Sequence, residues 1–180
     1  MLPILLYPYL YMIILSVAPL VADAAPESIS SKINIYDPFN ALITVVIVHV
    51  LVILSHMSFI VNAVKGNYTG KDLALLTMVC KLVHIPAFIL HFLFGTLGVF
   101  ASVWGIGFIA WAIIIDLLTI FQTGIMSITT AVKCGKEKVL STSCSAIFSV
   151  LGFIYCVDVA SSVYVFIKTK TANKKGVPSS

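Results

Sequence analysis

"FNALITVVIVHVLVILSHMSFIVNAV" (Phe39–Val64) contains no lysine, arginine, aspartate or glutamate along its whole length. Wound as an α-helix at 1.5 Å per residue it covers roughly 39 Å, which exceeds the roughly 30 Å hydrocarbon core of a bilayer. Asp37 and Pro38 precede it as an N-cap and a first-turn proline, a sound helix start. This stretch predicts a membrane span, and the rest of the chain has the same character.

The chain is 60% hydrophobic and 10% charged, with a mean hydropathy of +1.10. Soluble domains carry about 25% charged residues. What remains outside the apolar segments is too short for a sizeable aqueous domain. The net charge of +4 comes from lysine alone. These lysines read as residues of loops and tail rather than of one basic face, which argues against nucleic acid as a partner and for orientation signals or lipid headgroup contacts. Cys80, Cys134, Cys144 and Cys156 form no CxxC pair and read as small buried hydrophobes.

Five apolar segments follow one another. Residues 1–22 form an N-terminal hydrophobic helix, an anchor or a signal. Ala22–Asp23–Ala24 offers an A-x-A cleavage pattern, while the missing n-region charge favours retention. Residues 23–38 are a polar connection. Residues 39–168 hold four helices, about 39–64, 73–94, 103–132 and 142–167, and 169–180 are a lysine-rich polar tail. Asp72 is placed to cap the helix at 73–94, Pro86 to kink it beside His84, and "GTLGVFASVWGIG" (Gly95–Gly107) to hold a tight turn. Gly98/Ser102 and Ala101/Gly105 supply small residues at four-residue spacing. The expected fold is an all-α integral membrane protein, a four-helix transmembrane bundle plus the N-terminal helix. With a crossing fifth segment the lysines divide five and five. Lys65, Lys71, Lys133, Lys136 and Lys138 oppose Lys32, Lys168, Lys170, Lys174 and Lys175, so lysine counting sets no orientation. A translocated 23–38 connection places the two short loops in the cytoplasm.

The four histidines come as two pairs at a seven-residue interval, His49/His56 and His84/His91. Seven residues return a helix to within about 20°, so each pair shares a face. Counted from the loop between their helices, His56 and His84 lie roughly 12 and 16 Å in, and His49 and His91 roughly 22 and 27 Å. Asp116 and Asp158 are the acids well inside the spans, both near 24 Å from the 133–138 loop by the same count. A carboxylate at such depth costs about 2.5–3.5 kcal/mol unless it meets a partner or water. Asp116, Asp158, His49 and His91 are therefore the candidate ion or proton path. His49, His56, His84 and His91 are the candidate metal ligands, since imidazole with carboxylate suits zinc, manganese or iron. Tyr7, Tyr9, Tyr11, Tyr36 and Trp104 read as interfacial anchors.

No phosphate-loop, zincin or nucleophile-elbow motif is present, and no motif requires a cofactor. The sequence reads as a small multi-pass protein of the cell membrane, a non-catalytic subunit or scaffold whose partners are the bilayer and a homo-oligomer or membrane protein. Transport of an ion, proton or small solute through the Asp/His cluster is the alternative, and a metal-dependent membrane enzyme ranks last.

Overall fold

The structure is a computed structural model and describes residues 1–10, 12–13, 38–100 and 102–174. Every regular element among these residues is a helix: α1 (2–10), α2 (Pro38–Val64), α3 (Gly70–Phe100), α4 (Ser102–Lys136), α5 (Thr142–Leu151) and α6 (Val157–Lys174). The possible cleavage site at Ala22–Ala24, the connection 23–38 with the Asp37 cap, Tyr11, Tyr36, Ala101 and the tail from Lys175 lie outside the described residues. Three stretches are long and apolar enough to cross a membrane by length and composition: Leu42–Val64, Gly70–Phe100 and Gly105–Lys136.

The chain divides into two compact units, residues 1–55 and 56–180. In the first, Ile4, Tyr7, Pro8, Val48 and Val52 are the buried apolar side chains among the described residues. Tyr7 is thus fully covered rather than an interfacial anchor. The rest of this section concerns the second unit.

The helices α3 and α4 run past their expected ends and form a long hairpin. Their backbones touch where Gly98 faces Gly105; a Cβ on Gly105 would overlap the Gly98 carbonyl. Small residues do bring the two helices together, through a Gly–Gly pair between helices. At the opposite end Thr69, not Asp72, is the N-cap of α3. Asp72 Oδ2 accepts from the Thr69 N–H and hydroxyl at 3.0 and 2.7 Å, and Thr69 Oγ1 accepts the Asp72 N–H at 3.2 Å. This is a reciprocal capping box. The buried Glu137, from the loop after α4, takes the Gly70 N–H on both carboxylate oxygens at 2.9 Å. That carboxylate satisfies an orphan donor of α3 and sits at the positive end of its dipole. The helix α3 continues through Pro86.

The helix expected over 142–167 is two helices. The first, α5, starts from a Ser141 cap whose hydroxyl accepts the Cys144 N–H, and stops at Leu151. Phe153 and Ile154 bond back three residues, to Val150 and Leu151, the tightening typical of a helix end. Cys156 then takes a left-handed φ of 65°, and α6 begins at Val157. The chain reverses across this break. Phe148 of α5 stacks on Tyr164 of α6 with ring centroids 5.1 Å apart. Val165 packs with Leu140, which precedes α5, and with Ala74 and Cys134 beside the loops. So α6 runs back toward the end from which α5 entered. A continuous span would carry Val165 to the far end; the left-handed Cys156 turns the chain back, and Gly152, at an ordinary helical φ of −62°, lets the break pack closely on Ser127.

Candidate functional site

Lys81 lies about three turns into α3, roughly 16 Å along the helix from Gly70, and its side chain is completely buried. Its ammonium donates to Asp158 Oδ2 at 2.8 Å and to the Gly152 carbonyl at 3.1 Å. These two acceptors stand on opposite sides of the α5–α6 break. The Gly152 carbonyl has left the regular α-helical ladder, and Asp158 belongs to the first turn of α6, where its Oδ1 also accepts the Val159 N–H at 2.8 Å. One lysine therefore ties the end of α5 to the start of α6 and both to α3. The expectation that the lysines occupy only loops and tail fails here. A buried ammonium needs a counter-charge and acceptors together, and the break supplies both.

Close backbones let α4 complete the surroundings. A Cβ on Gly152 would meet the Ser127 side chain, and one on Gly124 would meet the Phe153 ring. Thr77 and Thr130 share a hydrogen bond of 2.8 Å between α3 and α4. Ser127, Ser161 and Ser162 donate to the carbonyls of Thr123, Asp158 and Val159. These five hydroxyl residues border a cavity of about 10 Å³, room for roughly one water.

Asp116 has a different partner. His91 Nδ1 donates to Asp116 Oδ1 at 2.5 Å; the imidazole is buried and the carboxylate side chain is 22% exposed. The Trp111 ring meets His91 edge-on at 5.2 Å. Beside the pair opens a cavity of about 390 Å³, whose lining includes Thr96, Ile109, Tyr155 and Asp116. Tyr155, from the helix break, also packs edge-on against Phe88 at 5.3 Å.

The candidate path residues thus fall into separate pairings: Asp116 binds His91, and Asp158 binds Lys81. His49, in the first unit, has Nδ1 bonded to the Val45 carbonyl at 2.8 Å and Nε2 to the Tyr7 hydroxyl at 3.1 Å. The carbonyl can only accept, which puts a proton on Nδ1 and, in the neutral ring, makes Nε2 the acceptor. His56 Nε2 donates to the Gln122 carbonyl at 3.2 Å. His84 Nε2 lies 3.9 Å from Cys80 Sγ, and its ring meets Phe88. Among the described residues, no three His, Cys, Asp or Glu side chains gather as a metal site would require.

Sequence reasoning missed Lys81. The signal was a lone lysine in "LALLTMVCKLVHIP" (Leu73–Pro86), well inside an apolar run, where any ionisable residue implies a named partner.

A model of a family of unknown function (DUF6652) matches residues 1–171, and the chain belongs to that family. No curated protein and no solved structure matches it.

Proposed function

We propose that the chain is a multi-pass protein of the cell membrane with three crossing helices and a helical hairpin, α5–α6, that enters and leaves on one side. It serves as a non-catalytic membrane subunit or scaffold for a homo-oligomer or a membrane partner. Large apolar side chains left exposed along the long helices, among them Leu54, Phe92 and Leu117, support contact with lipid. The observation that carries the scaffold reading is the Lys81–Asp158–Gly152 junction. Its charges are taken up by each other and by the backbone, which is what holding helices in place requires. Proteoliposomes loaded with a pH-sensitive dye test it. A scaffold gives no proton or potassium flux above protein-free vesicles, and Lys81→Met lowers stability. Flux that Lys81→Met abolishes in a still-folded protein overturns the reading.

A second reading, proton or small-ion transfer, draws support from the His91–Asp116 pair beside its open cavity. Imidazole and carboxylate at 2.5 Å can share and pass a proton. On that reading Asp116→Asn removes a measurable flux and leaves the fold intact.

A further inference from the structure

We infer that the lysine-rich end of the second unit faces the cytoplasm and binds the phosphate-bearing headgroups of anionic phospholipid. The inference rests on the membrane reading above and goes beyond it. Its basis is the reversal at residues 152–156. If the fifth segment crossed, the tail lysines would oppose the loop lysines and the tally would tie. With Val165 packed beside Leu140, Ala74 and Cys134, the lysines that follow on α6 return to the loop end.

That end then carries Lys65, Lys71, Lys133, Lys136, Lys138, Lys168 and Lys170, of which Lys65, Lys136, Lys138 and Lys170 are exposed. Lys174 closes α6, and Lys175 follows in sequence. The opposing acids are Asp72 and Glu137. Both are occupied, Asp72 in the Thr69 capping box and Glu137 on the Gly70 N–H with Lys133 3.8 Å away. Seven lysines against two carboxylates leave a net +5 among these residues. Lys81 is taken up inside the protein, so among the described residues every other lysine lies at this end. Such asymmetry orients a membrane protein with its basic end inward. Basic residues at that surface meet a leaflet whose anionic lipids attract each lysine by about fivefold at low salt. Mobile lysine ammonium groups at the ends of apolar helices suit phosphate oxygens, and their apolar stems can lie along the acyl boundary.

The test uses the full chain in nanodiscs of mixed phosphatidylglycerol and phosphatidylcholine, with retained lipids counted by native mass spectrometry. The wild type retains phosphatidylglycerol severalfold over phosphatidylcholine at 0.1 M salt. The preference shrinks at 1 M, where the screening length falls from about 10 to about 3 Å. The triple variant Lys136→Gln, Lys138→Gln and Lys170→Gln loses the preference while keeping the wild-type melting temperature. Inorganic phosphate added to protein in neutral detergent leaves that temperature unchanged. Equal retention of the two lipids by the wild type, a preference that survives the triple change, stabilisation by free phosphate alone, or tighter binding of RNA than of lipid each overturns the inference. A chain that stays soluble and monodisperse without detergent would instead sink the membrane reading itself.

Discussion

Lys81 and Asp158 give the sharpest energetic test, because each is buried and each leaves a charge behind when its partner is removed. Lys81→Met takes away both the ion pair and the donor to the Gly152 carbonyl, and strands the Asp158 carboxylate. Asp158→Asn keeps an acceptor for the Val159 N–H but leaves the ammonium of a fully buried Lys81 side chain unmatched. Breaking one side of a buried pair costs about 3–5 kcal/mol. The double variant has no charge to strand, and its remaining cost is an unpaired carbonyl and an imperfectly paired amide, about 2 kcal/mol. Independent sites would sum to about 6–10 kcal/mol, so the cycle predicts a coupling of about 4–8 kcal/mol. Unfolding in mixed micelles of mild detergent and dodecyl sulfate, followed by circular dichroism, measures all four proteins. A double variant as unstable as the sum of the singles, or single losses under about 1 kcal/mol, would refute the reasoning.

Three further expectations use the same unfolding assay. Gly105→Ala should cost about 2–3 kcal/mol, since its Cβ would press on the Gly98 backbone, which cannot rotate away as a side chain can. Glu137→Ala should cost about 2 kcal/mol by removing the buried acceptor of the Gly70 N–H, and Glu137→Gln about half of that. Cys156→Gly should stabilise by up to about 1 kcal/mol, because Cys156 is exposed and held at a φ of 65° that glycine adopts without strain.

The helical class and the long apolar elements were legible because uninterrupted apolar runs such as Phe39–Val64 have few alternatives. The α5–α6 reversal was not. Thr142–Ile167 is apolar enough to read as a single span, and its interruption turns on Cys156, a residue type that gives no hint of a left-handed φ. The candidate site was half legible. Asp116 and Asp158 stood out as charges in apolar segments, and His91 does meet Asp116. Equal depth along two assumed continuous helices drew the acids into one cluster, and once α5 and α6 fold into a hairpin that depth count no longer holds. The partner of Asp158 is a lysine on another helix, a pairing fixed by tertiary packing that no local spacing encodes.

The claim on which the account turns is the reversal between α5 and α6, and thiol accessibility tests it directly. Lys138→Cys and Lys170→Cys, each in a chain whose four native cysteines are replaced by serine or alanine, are labelled with a membrane-impermeant maleimide in sealed vesicles of known orientation. The account predicts that both positions react from the same face, the cytoplasmic one, and that both are protected from the other. Labelling of Lys138→Cys and Lys170→Cys from opposite faces would mean that residues 142–167 cross the membrane, and it would contradict the hairpin.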